Sequence, residues 1–213
     1  MRAEAGYDGE GVAQPLPAER ADRALGVLVE YGLTDRATVQ FKGEWQEGRD
    51  AFVDYQGRGP VEIGLTWRVW RDDRNTISVY GGYAQAGEGR NAGYAAPGVG
   101  EHDWEARVSA GRGLKPRWGV EPFVEVQAAR RLRDGLADET RIDATVGLRR
   151  GDWMALGQAY GGAADGGARW LSLEASVVRD LGRWSVQAGW RRTVDGRETP
   201  ISGGPVFAVW RRF

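Results

Sequence analysis

A periodicity of two constrains this chain more than any other feature. Runs of about ten residues alternate apolar and polar side chains, and clusters of Gly, Asp, Asn or Pro separate one run from the next. Over residues 36–47, Ala37, Val39, Phe41, Gly43 and Trp45 take one face, while Thr38, Gln40, Lys42 and Glu44 take the other. Over 61–71, Val61, Ile63, Leu65, Trp67 and Val69 oppose Glu62, Gly64, Thr66 and Arg68. Further along, Trp104, Ala106, Val108 and Ala110 oppose Glu105, Arg107 and Ser109, and Val120, Val124, Val126 and Ala128 oppose Glu121, Phe123, Glu125 and Gln127. Ile142, Ala144, Val146 and Leu148 oppose Arg141, Asp143, Thr145 and Arg149; Leu171, Leu173, Ala175 and Val177 oppose Ser172, Glu174 and Ser176. Helical spacing is hardly visible, so the chain reads as all-β.

The connectors alternate in length. Short links fall at 32–35, 72–75, 113–118, 150–152 and 180–183, and mostly longer ones at 9–19, 48–60, 87–101, 133–138, 162–168 and 194–203. Short turns on one rim and long loops on the other are the arrangement of outer-membrane barrels, with the short turns in the periplasm. The tally is about twelve strands, including a weak first one over 2–8, and an even count places both termini on the short-turn side. Ten residues tilted near 45° cover roughly 23 Å, close to the ~25 Å apolar band of such barrels. The predicted fold is therefore a closed antiparallel transmembrane β-barrel occupying residues 1–213 as a single domain.

Composition removes the competing classes. Twenty-nine basic residues against thirty acidic ones leave a net charge of -1, which gives no field to gather nucleic acid, so none is expected as a partner. There is no Cys for disulfides or thiolate metal sites. No stretch approaches the roughly 20 apolar residues of a membrane-spanning helix. A barrel escapes that test because its lipid-facing residues are diluted by polar ones. The opening residues, 1–11, carry no basic segment followed by an apolar one, so an export signal is expected to have been removed.

Aromatic side chains gather at strand ends, as they do at the two interfaces of a membrane. Tyr31, Trp118, Trp153, Trp184, Trp210 and Phe213 fall near the short-turn rim, and Trp45, Tyr83, Trp104, Tyr160, Trp170 and Trp190 toward the other. A soluble sandwich would also place Trp and Tyr in strands, but it needs neither two girdles nor the alternation of loop lengths.

Two segments carry a family resemblance. Pro205, Phe207, Val209 and Phe213 look like the C-terminal signal by which the outer-membrane barrel assembly machinery recognises its clients. Glu30-Tyr31-Gly32-Leu33-Thr34-Asp35 resembles the second-to-third-strand turn of a group of small Gram-negative barrels, which includes proteins described as a phenol-degradation-pathway outer-membrane component. Ala5-Gly6-Tyr7-Asp8 resembles the tail of that group's first strand, here cut short. The resemblance implies residence in the cell outer membrane, among its lipid and lipopolysaccharide.

With the apolar faces outward, the predicted lumen lining is Lys42, Glu44, Glu62, Arg68, Glu105, Arg107, Glu121, Glu125, Arg141, Asp143, Arg149, Glu174 and Arg191. Arg107 beside Glu125 is the ion pair expected from strand order. Twelve strands lie between the side-chain-filled eight and the aqueous sixteen, so these charges either set a narrow polar path for a small-molecule solute or close the lumen as a structural network. The expected function is a passive channel or ligand-binding transporter for small solutes, without enzymatic activity, cofactor or metal. A lipid hydrolase is the rival from another class. It would have to use His102, the single histidine, and Ser109 lies seven residues along the same strand, out of reach. Carboxylate pairs such as Glu121 and Glu125 suit acid–base work, but charged lumen ladders are commoner. The glycines of 87–93 do not have phosphate-loop spacing. Arg150-Gly151-Asp152 belongs to a periplasmic turn, and Asp50, Asp54, Asp134 and Asp138 lack the spacing of a calcium loop.

Overall fold

The computed structural model describes residues 1–49, 51, 54–87 and 99–212. The elements are β1 (Arg2–Tyr7), β2 (Ala13–Gly32), β3 (Ala37–Arg49), β4 (Asp54–Arg71), β5 (Asn75–Gln85), β6 (His102–Gly113) and β7 (Glu121–Arg133). They continue with β8 (Glu139–Arg150), β9 (Trp153–Ala164), β10 (Arg169–Leu181), β11 (Trp184–Arg197), the two-residue β12 (Thr199–Pro200) and β13 (Gly203–Arg211). Each strand from β2 to β11 pairs antiparallel with the next, and β11 pairs with β13. β1 closes the sheet, pairing with β2 on one side and with β12 and β13 on the other. The result is the expected closed antiparallel barrel of twelve strands, with β12 as an extra piece. Among the described residues a single sheet leaves no second layer for a sandwich.

Period-two alternation decides which side chains point where. Phe41, Trp67, Val108 and Val146 are exposed on the outer face, while Asp103, Glu139 and Val178 are buried inside. Large apolar side chains thus cover the outside, and much of the buried interior is polar or charged. Bulges adjust this pattern locally. The shift between Arg68 and Trp70 on the β4–β5 ladder leaves both Val69 and Trp70 exposed. At the short-turn rim, Arg117 and Val120 exchange backbone hydrogen bonds of 3.0 Å around Trp118 and Gly119. Both central residues have positive φ, 53° and 72°, as the twist of a two-residue hairpin requires.

Three expectations are corrected. The long-loop connectors at 9–19 and 48–60 are shorter than the sequence indicates, because β2 begins at Ala13, β3 runs to Arg49 and β4 begins at Asp54. Ladder pairing continues there beyond the apolar alternation, which is invisible to a pattern of hydrophobicity. The amino end does not reach the short-turn rim: the Asp22 amide donates to the Met1 carbonyl at 2.9 Å, ten residues before Gly32. β1 has only six residues, and all of those paired with β2 meet its first half. Third, Tyr160, Trp170 and Trp210 line interior cavities rather than a girdle. The bulge between Leu171 and Ser172 lies beside Trp170.

Candidate functional site: the charged interior

Inward positions of neighbouring strands bring charges of opposite sign to similar depth, and burial forces them to pair. Glu105 on β6 accepts from Arg107 Nε at 2.9 Å and from Arg131 Nε, on β7, also at 2.9 Å. A second Arg131 nitrogen reaches Glu62 on β4 at 3.2 Å. Arg133 donates to Glu139 at 3.1 Å, and Arg141 lies 3.6 Å from Glu139 and 4.0 Å from Asp143. Elsewhere in the barrel Arg191 meets Glu174 at 2.8 Å, Arg149 meets Asp180 at 2.5 Å, and Lys42 meets Glu44 at 2.7 Å. Asp143 also accepts from Gln127 at 3.1 Å.

The expected Arg107–Glu125 pair does not form. The register sets Arg107 opposite Ala129 and Glu125 opposite Gly111, four residues apart along the ladder. Arg107 instead takes Glu105 on its own strand and stacks over Tyr80, 4.5 Å from the ring centre. Glu125 lines the central cavity with no ion pair among the described residues. Arg68 sits at the short-turn mouth, donating to the Asp35 carbonyl. Glu121 opens β7 opposite Arg149 and is exposed.

Aromatic rings occupy part of the interior by lying on glycines of the same or a neighbouring strand. A Cβ at Gly64 or Gly82 would collide with Tyr80, one at Gly147 with Phe123, and one at Gly162 with Trp170. Tyr80 donates to Glu62 at 2.7 Å, and Arg191 stacks over Tyr160 at 4.1 Å.

Space surrounds this scaffold. A cavity of 590 Å³ on the long-loop side and a central one of 640 Å³ share Lys42, Arg131, Arg141, Tyr160 and Arg191 as walls. A third, of 490 Å³, shares Tyr160 and Arg191 with both. That third cavity is partly apolar, walled by Phe123, Met154 and Leu156, which pack with Val178. The inward apolar patch escaped the sequence reading. Its signal was the unbroken run Trp153-Met154-Ala155-Leu156, where polar residues should have alternated.

His102 and Ser109 are not brought together. His102 Nδ1 lies 2.8 Å from the Tyr83 hydroxyl at an exposed strand end, and Ser109 lines the central cavity. The two belong to opposite faces of β6. Phe207 and Val209 point outward and are well exposed; Phe213, Asp50 and most of the 87–101 connector lie outside the described residues.

No family model and no curated protein matches the chain. Among solved structures it is similar to an outer membrane channel from Pseudomonas putida F1, with TM-score 0.65 and 13% identity, covering 98% of this chain and 90% of that one. At that identity the likeness is one of fold.

Proposed function

We propose that this protein is an outer-membrane channel, or a transporter that binds and releases its ligand, for small solutes. The observation that carries the reading is the inversion of the fold: apolar side chains outside, ion-paired ones inside, around cavities that share walls. The outward band then meets the hydrocarbon of the membrane, with lipopolysaccharide beyond it on the long-loop side. Phe207 and Val209, with Phe213, serve as the signal to the assembly machinery. The likeness of 30–35 to barrels of a phenol-degradation pathway favours solutes of modest size, and the apolar wall at Phe123, Met154 and Leu156 is compatible with a partly apolar one.

In this reading Lys42, Arg131, Arg141, Tyr160 and Arg191 form the constriction between the outer and central cavities, and their charges set selectivity. The other bound residues, Glu44, Glu62, Glu105, Arg107, Asp143 and Glu174, hold those cations in place. A second reading, a structural barrel closed by its charges, is favoured by the pairing of Lys42, Arg131, Arg141 and Arg191 with carboxylates. Planar-bilayer recording separates the two. The channel reading expects unitary current steps from the wild type, enlarged by Arg191→Ala. A silent membrane with both proteins, each folded and inserted, selects the closed barrel.

A further inference from the structure

Arginines find different partners at the two ends of the barrel. Toward the long loops they meet carboxylates: Arg130 reaches Asp138 at 3.3 Å and also Asp165, Arg2 lies 3.6 Å from Glu19, and Arg197 lies 3.9 Å from Glu198. At the short-turn end they meet tryptophan. Arg117 stacks over Trp118 at 4.0 Å from the ring centre, Arg179 over Trp153 at 4.7 Å, and Arg211 over Trp184 at 5.1 Å. A ring holds a guanidinium in place without cancelling its charge or occupying its N–H groups.

The ladders gather some of these groups into a cluster on the outer wall. Trp153 opens β9 with Arg150 of β8 directly opposite on one side and Arg179 of β10 on the other. Opposed residues share a face, so both arginines flank the exposed Trp153. Neighbouring strands are about 4.8 Å apart, which puts the two arginine Cα atoms roughly 10 Å from each other. Side chains of that reach can converge on a single phosphate seated over the indole, whose N–H adds a donor. Both arginines are exposed, and among the described residues neither has an ion-paired carboxylate. Asp180, next to Arg179, turns inward to Arg149 and Ser185. Against the one carboxylate of the β8–β9 turn, Asp152, the cluster keeps a net positive charge. Deeper in the apolar band β9 shows the outer face only Ala155 and Gly157, between Leu148 and Val146 of β8 and Val177 of β10. A Cβ at Gly157 would meet nothing within 4 Å, so a shallow furrow leads away from the arginines along the wall.

We propose that Arg150, Trp153 and Arg179 bind the headgroup phosphate of an anionic phospholipid in the periplasmic leaflet, with one acyl chain lying over Ala155 and Gly157. Complementarity fixes the occupant. Two cations without carboxylate partners call for net negative charge, an interfacial Trp marks the headgroup level, and the furrow continues into hydrocarbon. Free phosphate would use only the first of these. The inference rests on the outer-membrane reading, which sets the short-turn rim at the periplasmic leaflet.

The test is native mass spectrometry of the detergent-folded protein offered equal amounts of phosphatidylglycerol and phosphatidylcholine. The wild type should retain phosphatidylglycerol at least about tenfold more tightly, as two arginines near an anionic headgroup require. Replacing both Arg150→Gln and Arg179→Gln should remove that preference, whereas Arg130→Gln, at the opposite rim, should keep it. Gly157→Leu fills the furrow and should weaken retention with the arginines intact; unchanged retention there would overturn the placement of the acyl chain. Inorganic phosphate in millimolar excess should leave the lipid bound, and displacement would make the cluster a free-anion site and overturn the lipid assignment. Equal retention of the two lipids by the wild type, or a preference that survives the double variant, would overturn the proposal as a whole. Gel mobility with and without boiling reports separately on the closed membrane barrel, so a heat-modifiable wild type with no lipid preference sinks this site alone.

Discussion

Replacing Glu105 by Gln tests whether the interior charges hold the barrel together. Its side chain is buried, accepts from both Arg107 and Arg131 at 2.9 Å, and differs from Gln by little more than charge. Removing one partner from a buried ion pair costs about 3–5 kcal/mol, because the charge left behind is uncompensated. Arg131 retains Glu62 at 3.2 Å, and Gln keeps one carbonyl acceptor, so the lower end applies, about 3 kcal/mol. That is roughly a hundredfold in the ratio of folded to unfolded protein. The assay is urea unfolding in lipid vesicles, followed by tryptophan fluorescence, with unchanged slope and a lowered midpoint. Glu19→Gln is the control, since its contact with Arg2 is 3.6 Å and exposed, and it should cost less than about 1 kcal/mol. The double variant with Arg131→Met should show a coupling of at least about 1 kcal/mol. A Glu105→Gln midpoint within about 0.5 kcal/mol of wild type would refute the reasoning, since it would leave the network no share in stability.

Three further outcomes follow from the same geometry. Gly82→Ala should lose about 1–3 kcal/mol in the same unfolding assay through its collision with Tyr80, and the same substitution made in a Tyr80→Ala background should cost less than about 1 kcal/mol. Val146→Arg, on the outer face near the middle of β8, should cost about 2–4 kcal/mol in vesicles, and no loss would speak against a lipid-facing wall. In the β4–β5 turn, backbone donation from Arg74, then the side chain and backbone of Asn75, hold the Asp72 carboxyl below the ordinary carboxylate range. Its support for the turn is therefore complete above the ordinary pKa and lost as pH falls through the depressed one. Exchange at the Asn75 amide should accelerate on acidification, relative to neighbouring strands, and Asp72→Ala should remove that pH dependence.

The strands were legible because lipid-type alternation leaves a mark in every window: Val61 to Val69 and Ile142 to Leu148 read correctly from sequence alone. The inward direction of Lys42, Glu105 and Glu174 followed from the same parity. Partners did not, because pairing across strands depends on register, which the pattern of two leaves free by any even number of residues. Arg107 reaches Glu105 rather than Glu125 for that reason. The apolar wall at Met154 and Leu156 was hidden by the assumption that inward means polar. Trp170 and Trp210 were misplaced because, at a strand end, an aromatic satisfies a girdle and an inward position equally well in sequence. A glycine facing it from the next strand, as Gly162 faces Trp170, was the available discriminator.

The inverted distribution of side chains changes what it means for this molecule to melt. A water-soluble domain loses a dry centre on unfolding, and the newly wetted hydrocarbon raises its heat capacity by about 12–15 cal/mol/K per residue. In the membrane setting proposed above, the greasy surface would already touch an oily solvent before the transition and, in detergent, would still touch it afterwards. Among the groups newly wetted are the carboxylates and guanidinium groups of Glu105, Arg131, Glu139 and Glu174, whose hydration shifts heat capacity the other way. Calorimetric traces of such a chain should therefore carry less curvature, its thermal resistance drawing on ion pairs and backbone ladders more than on hiding oil from water.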